Sequence, residues 1–335
     1  MVPAHPSSLV DEPLVSIVTP TLDQARFIEH TILSIKAQTY RHIEHIVIDG
    51  GSTDETHQIL RAHEGSYSLR WLSEPDRGMY DAINKGMRLA RGEILAYLNS
   101  DDLYFPWTID RVVRAFRANP FAGLVYGDGL RLNEAMGTLS PWFQPPFRLE
   151  DMRSVGSLLQ PSVFWRRRLL DTVGEFDASL RYVGDVDYWL RAGTVDQLVR
   201  IGEILAIDRV HPDALSVLAR AAMQAEDQSM RSRYHRSSKV RQTLASLRAF
   251  LWRRARWLSF VMAIRHPTEA GGWSNLVHQS GAEVSTRAAV LGLLPLVGNR
   301  YRGAVRWQID PVLLANGEVI ANQTLDRRRD RQERR

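Results

Sequence analysis

The first 130 residues alternate between short apolar runs and amphipathic segments, and this alternation constrains the fold more than any other feature. The apolar runs predict buried strands at 14–19, 45–49, 69–72, 94–98 and 124–126. Apolar residues at helical spacing and cap-type residues predict helices between them, at 25–38, 52–63, 80–90 and 106–118. Repeated strand–helix units of this kind indicate an α/β fold with a mainly parallel central sheet and helices on both faces.

Polar residues, several of them acidic, follow four of the predicted strands. They lie at 20–21, 49–52, 74–78 and 99–102. Because the carboxyl ends of parallel strands meet at one edge of the sheet, a ligand site is expected there. The chain has no Gly-x-Gly-x-x-Gly after its first strand and no Gly-Lys-Ser/Thr loop, which argues against a dinucleotide-binding dehydrogenase and a P-loop kinase.

Carboxylates are the candidate reactive groups of this edge, since the chain contains no cysteine. Asp101 and Asp102 suit a hard divalent cation that neutralises a diphosphate, although Asp102 is also placed to cap the next helix. Asp49 precedes two glycines and suits a nucleobase or ribose contact, or else it belongs to a tight turn. Arg77, next to Gly78, suits a phosphate at a helix N-terminus, or else it forms a surface salt bridge with a neighbouring aspartate.

Asp185 and Asp187 form a further acidic pair, two residues apart. In a strand or loop they share one face, and one of them is then suited to act as a general base toward a hydroxyl. At a helix N-terminus, Asp185 would instead cap the helix and Asp187 would interact favourably with its dipole. His211 follows an apolar run and either completes a carboxylate metal site or is an ordinary surface or core residue.

Taken in order, seven segments make residues 13–216 resemble family 2 of the inverting glycosyltransferases, the large group with the GT-A fold. The segments are VSIVTPT at 15–21, IDGGSTD at 48–54, EPDRGMYDAINKG at 74–86, LNSDD at 98–102, QPSVF at 160–164, GEFD at 174–177 and GDVDYWLR at 184–191. The resemblance implies that Pro20, Thr21 and Asp49 line the base and ribose pocket of a nucleotide sugar. It also places Arg77 and Gly78 near the nucleotide.

The same resemblance implies a metal-dependent inverting enzyme of the hexosyltransferase type. Asp101 and Asp102 match the region that holds ribose, sugar and Mn²⁺ or Mg²⁺, and His211 matches a histidine that in some relatives reaches the metal or the diphosphate. Asp185 matches the catalytic base, which deprotonates the acceptor hydroxyl. Whether Asp185 or its neighbour Asp187 is the base stays open from the sequence.

Three positions depart from the family pattern. Asn99 stands where many relatives have the first acid of the metal motif, and Leu22-Asp23 replaces a frequent Tyr-Asn. Gly184 replaces the acid that often precedes the catalytic aspartate. The first and third of these departures keep open a second reading, in which the chain binds nucleotide sugars but is catalytically impaired.

The net charge of +5 is unevenly distributed along the chain. Residues 1–216 carry 22 Lys and Arg against 29 Asp and Glu, a net −7, whereas residues 217–335 carry 21 against 9, a net +12. Between 244 and 262 a predicted helix has one apolar stripe, formed by Leu244, Leu247, Leu251, Ala255, Leu258 and Met262. Arginines and tryptophans lie beside the stripe, which favours either a helix in a membrane interface or a helix packed on the catalytic domain with a solvated basic face.

We therefore expect four regions: a flexible N-terminus at 1–13, a GT-A domain at 14–216, a helical basic extension at 217–325 and a disordered tail at 326–335. Within the extension, 288–298 is either a second shallow membrane segment or core, and 312–320 is expected to be a hairpin. No signal peptide is visible, and no apolar run approaches the roughly 20 residues that span a bilayer. We expect a cytoplasmic protein that contacts anionic lipid on the inner face of the plasma membrane.

The expected function is transfer of a sugar from a nucleotide-diphosphate sugar to a hydroxyl of a lipid-linked or growing glycan, with inversion, in bacterial cell-surface polysaccharide biosynthesis. A nucleic-acid-binding protein is a third reading, motivated by the arginine-rich tail. No recognised nucleic-acid-binding motif accompanies that tail, and the first two thirds of the chain are acidic. The donor sugar, the base, the acceptor and the linkage are not fixed by the sequence.

Overall fold

The computed structural model describes residues 12–135, 138–234, 238–265 and 305–306. Its strands are β1 Val15–Thr21, β2 Ile43–Asp49, β3 Leu69–Ser73, β4 Ile94–Tyr97, β5 Leu103–Tyr104, β6 Ala122–Asn133, β7 Thr138–Trp142, β8 Val163–Arg166, β9 Gln197–Val210 and β10 Val305–Arg306. Its helices are α1 Ala25–Lys36, α2 Thr56–His63, α3 Met79–Leu89, α4 Thr108–Ala118, α5 Leu149–Ser154, α6 Arg167–Val173, α7 Gly184–Val195, α8 Leu215–Leu218, α9 Arg220–Ser232 and α10 Lys239–Arg265. The predicted α/β alternation is confirmed.

The described strands form one mixed sheet, in which eight follow the order β10-β7-β6-β8-β4-β1-β2-β3 and β9 pairs with β6 and β5 off this path. The half built from β4, β1, β2 and β3 is parallel, as the alternating pattern predicts. The other half is mostly antiparallel: β8 pairs antiparallel with both β4 and β6, and β7 pairs antiparallel with β6. β6 and β7 are joined by only four residues, which permits a hairpin but not the long crossover that a parallel pair needs.

The core lies on both faces of the sheet. β1 and β2 are buried along their whole length, as expected for strands covered on both sides by helices. On one face, α3 packs closely on β1: a Cβ on Gly86 would lie 2.3 Å from Val18 Cγ1. On the same face, an aromatic cluster supports α7, with Phe176 stacked on Tyr188 at 4.2 Å and Trp165 against Trp189 at 5.5 Å between ring centroids.

The helix predicted around 244–262 is confirmed as α10. For a packed helix we expected the basic side to face solvent, but two of its arginines face the rest of the protein. Arg248 pairs with Asp151 of α5, and Arg256 lies 3.4 Å from the buried Asp128 of β6. These arginines face the part of the protein formed by residues 14–216, which we call the catalytic body, because it offers buried or half-buried carboxylates there. The leucines at the start of the predicted stripe are exposed instead.

Several expectations concern residues outside the described part of the chain. They are the N-terminal segment up to residue 11, the run at 288–298, the hairpin at 312–320 and the tail at 326–335. Within the described residues, none of the helices combines the length and the apolar character required to cross a membrane.

Candidate active site

Four strand ends bring the predicted donor-side residues to one edge of the sheet. In the parallel register, Thr21 of β1 pairs with Asp49 of β2, and Asp49 pairs with Ser73 of β3. On the other side of β1, the Leu98 N–H at the end of β4 donates to the Val18 carbonyl at 2.9 Å. The polar loops at 49–52, 74–78 and 99–102 therefore open at a common edge, as the sequence predicts.

Asp49 is fully buried at the end of β2 and is held by several donors. Its carboxylate accepts hydrogen bonds from the Ser52 hydroxyl, from the Ser73 hydroxyl at 2.6 Å and from His57 Nε2 at 2.7 Å. Burial by itself would raise the pKa of Asp49, but these hydrogen bonds outweigh burial and hold the pKa below its usual value. Asp49 is therefore ionised and fixes the tight turn after β2.

The loop after β1 is tied to the loop after β2. The Asp23 N–H donates to Ser52 Oγ at 2.7 Å, and Asp23 Oδ1 accepts from the Thr53 N–H at 2.7 Å. Asp23 adopts a left-handed backbone with φ of 49°, which a short polar side chain that bonds locally tolerates best. The Leu22-Asp23 departure from the family pattern thus has a structural role, because Asp23 joins the two loops.

Thr21 and its neighbour Pro20 end the buried strand β1 at this edge. The Thr21 hydroxyl is buried and has no hydrogen-bond partner among the described residues. Buried hydroxyl groups are normally paired, so this oxygen is suited to a ligand group.

Arg77 and Gly78 follow β3 and precede α3. The Arg77 guanidinium is largely exposed and donates to Asp81 Oδ1 at 2.9 Å, which is the surface salt bridge considered as the alternative to phosphate binding. Gly78 has φ of 125°, and its N–H donates to Asp76 Oδ1 at 2.8 Å. This left-handed backbone favours glycine and turns the chain sharply into α3.

Asp101 and His211 lie side by side, with 3.2 Å between Asp101 Oδ2 and His211 Nε2. Asp102 faces away toward β9, where its Oδ1 accepts the Arg209 N–H at 3.0 Å. Burial, together with the nearby charges of Asp101 and Asp208, raises the pKa of Asp102 well above its usual value. The N-cap of α4 is Trp107, so Asp102 does not cap that helix.

The predicted metal ligands come together in part. Within the described ranges, no group of three or more His, Asp or Glu side chains has the arrangement of a metal site. Asp101 and His211 still offer a carboxylate oxygen and an imidazole nitrogen at one point, and Mg²⁺ commonly takes one or two protein ligands plus substrate phosphates. This donor pair fits Mn²⁺ or Mg²⁺ when a diphosphate supplies further oxygens.

Asn99 replaces an acid for an evident physical reason. Its Nδ2 lies 3.2 Å from Gln160 Oε1 and 3.4 Å from Asp102 Oδ2. A carboxylate at this position would repel the buried Asp102, whereas the amide donates toward it.

Asp185 and Asp187 occupy the first turn of α7, so the pair diverges as it would on any helix. Asp187 is buried and accepts from Arg191 Nε at 2.8 Å and from the Tyr234 hydroxyl at 2.6 Å. Asp185 accepts from the Tyr80 hydroxyl at 3.3 Å. Burial raises the pKa of Asp185 to about 6, although the Val186 N–H and the Tyr80 hydroxyl oppose that rise.

Gly184 makes room for the tyrosine that contacts Asp185. A Cβ on Gly184 would lie 2.7 Å from Tyr80 Cε2, inside the contact distance of two carbons. A glutamate or aspartate at position 184 would therefore push the Tyr80 ring away. Gly184 therefore leaves the Tyr80 ring its place beside Asp185, a contact that the sequence pattern does not reveal.

Glu226 of α9 supports the turn that leads into α7. Its two carboxylate oxygens accept the N–H groups of Arg181 at 2.8 Å, Tyr182 at 2.6 Å and Val183 at 3.1 Å. Sequence reasoning missed this residue because it lies beyond position 216, where the resemblance fades. It also missed His57, Ser73 and Tyr80, since none of them belongs to a pattern with an assigned role.

Comparisons with known proteins agree with this architecture. The family model described as glycosyl transferase family 2 matches residues 16–159. A PGL/p-HBAD biosynthesis glycosyltransferase of Mycobacterium bovis is 32% identical over 190 residues, which cover 56% of this chain and 72% of the relative. An uncharacterized glycosyltransferase of Mycobacterium tuberculosis is 31% identical over 205 residues, covering 59% of this chain and 75% of the relative.

Solved structures share the fold at low identity. The mannosyltransferase PcManGT from Pyrobaculum calidifontis, solved with GDP-Man and Mn²⁺, superposes with a TM-score of 0.56 at 18% identity over 91% of this chain and 86% of that one. Staphylococcus aureus TarS 1–349 with UDP-GlcNAc gives 0.51 at 20% identity over 59% of each chain. The strand-edge site, the matching family model and the curated relatives lead to one conclusion: the chain belongs to family 2 of the glycosyltransferases and has their GT-A type of α/β fold.

Proposed function

We propose that this glycosyltransferase moves a hexosyl group from a nucleotide-diphosphate sugar to an acceptor hydroxyl with inversion, and that Asp185 is the general base. The observation that carries the proposal is the position of Asp185. Its carboxylate contacts Tyr80, which lies two residues after Gly78 in the donor-side loop and helix. A pKa raised by burial to about 6 suits a base that is ionised at neutral pH and still takes up a proton.

Asp185 accepts the proton of the acceptor hydroxyl as that oxygen attacks the anomeric carbon. The bond from the anomeric carbon to the diphosphate oxygen breaks on the opposite face, so the configuration inverts once and the nucleoside diphosphate leaves. The contacts of Asp187 with Arg191 and Tyr234, which hold it inside the fold, support the choice of Asp185 over Asp187. The Tyr80 hydroxyl orients the Asp185 carboxylate.

On the donor side, Pro20, Thr21 and Asp49 would bind the base and ribose. The Thr21 hydroxyl, which has no hydrogen-bond partner in the described part of the chain, supports this assignment. Arg77 would turn its exposed guanidinium from Asp81 to the diphosphate, and Asp81 would keep Lys85 Nζ at 3.8 Å and the Arg77 N–H at 3.2 Å. The N-terminus of α3, directly after Gly78, adds a favourable dipole for an anion.

Asp101 and His211 would hold a divalent cation, and Asp101 would also lie near the sugar of the donor. Asp102 would not contact the cation directly, because its carboxylate faces β9. When bound, Mn²⁺ or Mg²⁺ neutralises the charge that develops on the leaving diphosphate. PcManGT, which was solved with GDP-Man and Mn²⁺, supports this assignment by analogy.

For the acceptor, we propose a lipid-linked or growing glycan of bacterial cell-surface polysaccharide biosynthesis, reached at the inner face of the plasma membrane. The net charge of +12 over residues 217–335 supports contact with an anionic surface.

The test is donor turnover by the purified full chain. A panel of nucleotide sugars is incubated with Mn²⁺ or Mg²⁺, and release of nucleoside diphosphate is measured with and without glycan acceptors. Asp185→Asn should lower turnover about 100-fold or more, because it removes the proton acceptor. The matched control is Asp110→Asn on the outer side of α4, which should leave turnover unchanged.

Two outcomes contradict the proposal. Turnover by Asp185→Asn near that of the unmodified chain would refute the assignment of the base. Thermal stabilisation by a nucleotide sugar without any turnover would favour the catalytically impaired binding protein. A salt-sensitive gel shift with RNA or DNA would favour the nucleic-acid reading.

A further inference from the structure

The long helix α10 is attached to the catalytic body by its arginine and tryptophan side. Arg248 pairs with Asp151, and Arg256 lies 3.4 Å from Asp128 and over the ring of Phe143 at 5.5 Å. Together with the fully buried Asp128, these contacts fix which side of α10 faces the protein.

The side of α10 next to that attached face carries large apolar residues in solvent. Val240, Leu244, Leu247 and Leu251 follow a 4-3-4 spacing and are 68%, 47%, 49% and 56% exposed. We call these four residues the outer stripe. Single exposed leucines are common on protein surfaces, but four at one helical spacing form a continuous patch.

The charges that α10 itself carries have one sign. α10 contains seven Lys and Arg residues and no Asp or Glu, and no acidic residue occurs between Asp227 and Glu269. Lys239 and Arg241, which flank Val240, are exposed. An apolar stripe on a helix whose own charges are all cationic is complementary to a surface that is apolar inside and anionic at its face.

We propose that the outer stripe inserts into the headgroup boundary of an anionic lipid bilayer, with α10 lying parallel to the membrane plane. A helix of 27 residues is about 40 Å long, yet its seven cations prevent it from spanning the bilayer. Because Arg248 and Arg256 bind the catalytic body, the membrane contact is made by the leucines, with Lys239 and Arg241 at the phosphate level. A second copy of the chain is a poor occupant, since two facing stripes would bring two cationic helices together.

This inference does not depend on the proposed chemistry. It assigns the membrane contact to one face of α10, whereas net charge alone would assign the contact to all of residues 217–335. It also places the contact on α10, the helix that packs against α5 and Phe143 in the segment between β6 and β8.

Vesicle binding by the full chain tests the inference. The chain is sedimented with vesicles of phosphatidylglycerol and phosphatidylcholine, and with vesicles of phosphatidylcholine alone. We expect salt-sensitive binding to the anionic vesicles and an about tenfold lower partition coefficient for Leu247→Glu or Leu251→Glu. The matched control, Leu89→Glu at the end of α3, has a similarly exposed leucine and the same charge change, and it should bind like the unmodified chain.

Other occupants of the outer stripe give different results, each of which overturns the inference. Equal loss of binding by Leu89→Glu would mean that net charge alone drives binding. A dimer in light scattering that Leu247→Glu dissociates would assign the stripe to a second copy. A clear fall in melting temperature for Leu247→Glu without vesicles would mean that another segment of the chain covers the stripe.

Discussion

The Tyr80 hydroxyl is predicted to set the pH at which the enzyme becomes active, and Tyr80→Phe tests this. The hydroxyl donates to Asp185 at 3.3 Å, and it keeps its proton because burial raises the pKa of Tyr80 well above its usual value. A hydrogen bond to a charged group contributes about 1.5–3 kcal/mol, and the long distance here favours the lower end. Since 1.36 kcal/mol corresponds to one pKa unit, loss of the hydroxyl should raise the pKa of Asp185 by about 1 unit.

The expected effect is confined to the acidic limb of the pH profile. Asp185 has a pKa of about 6, so about half of it is ionised at pH 6 in the unmodified enzyme and about a tenth in Tyr80→Phe. Turnover should therefore fall about fivefold at pH 6 and stay nearly unchanged at pH 8. The measurement is kcat/KM for nucleoside diphosphate release between pH 5 and pH 9, the range that brackets this titration.

Tyr188→Phe is the matched control. Tyr188 belongs to the same aromatic cluster, but its buried hydroxyl has no hydrogen-bond partner among the described residues. Its removal should leave the acidic limb in place. An unshifted limb for Tyr80→Phe, or an equal shift for Tyr188→Phe, would refute the link between the Tyr80 hydroxyl and the base.

Three further predictions concern stability and positioning. Asp185→Asn should raise the melting temperature at pH 8 and increase the free energy of unfolding by up to about 3 kcal/mol. The reason is that the pKa of Asp185 is about 6 in the folded state against the usual 3.8, so folding penalises the ionised carboxylate. The gain in stability should vanish as the pH falls to 4, where the carboxyl of the unmodified protein is protonated in the folded state. Glu226→Ala should lower kcat about tenfold with little change in the donor KM, and Glu226→Gln should lie between, since it retains one acceptor oxygen for the turn before α7. Gly86→Ala should destabilise the fold by about 1–3 kcal/mol in urea unfolding, and Val18→Ala should restore part of the loss by making room for the new methyl group.

Each of these has a contrary outcome. A melting-temperature gain for the Asp185 variant at pH 4 equal to that at pH 8 would mean that ionisation is not the cause. Parallel losses of kcat and donor affinity in the Glu226 series would point to a general loss of structure rather than to positioning. An additive loss in the Gly86 and Val18 double variant would exclude the close contact between them.

The parallel half of the sheet is predictable from the sequence, because β1, β2 and β4 each contain a short apolar run and amphipathic segments separate them. The start of α2 is not predictable in this way. Cap-type residues predict that the helix begins at Ser52, whereas it begins at Thr56. Ser52 and Thr53 bond to Asp49 and Asp23 and so are used between loops. Local propensity cannot distinguish a side chain that caps a helix from one that bridges two loops.

β6 shows a second limit of sequence reasoning. The pattern predicts three residues of strand at 124–126, whereas the strand runs over twelve, from Ala122 to Asn133. In a sequence, glycines such as those at 123, 127 and 129 indicate an interrupted strand. They are instead places of close approach: a Cβ on Gly127 would lie 2.7 Å from the Glu203 carbonyl oxygen of β9. The pattern shows the glycines but not the neighbouring strand that requires them.

The meeting of residues 20–21, 49–52, 74–78 and 99–102 at one edge was predictable, because each segment lies at or just after the end of a strand and strand ends share an edge. The hydrogen bonds that support Asp185 and the turn before α7 were not predictable. Tyr80 is 105 positions from Asp185 in sequence, and Glu226 is more than 40 positions from the turn that it holds. Such contacts depend on how helices meet in space. They leave no periodic signal, and Glu226 lies in a basic segment for which the sequence predicts either membrane attachment or packing on the catalytic domain, without assigning Glu226 a contact.

The contact of Gly184 with Tyr80 restricts the order in which substitutions can accumulate in this site. An acid introduced first at position 184 forces the tyrosine ring to shift, because its Cβ would overlap that ring. A smaller residue at position 80 makes room for the acid, but that change removes the hydroxyl that Asp185 contacts. By this second route the site passes through an intermediate with neither group, so the effects of variants at the two positions are expected to depend on each other.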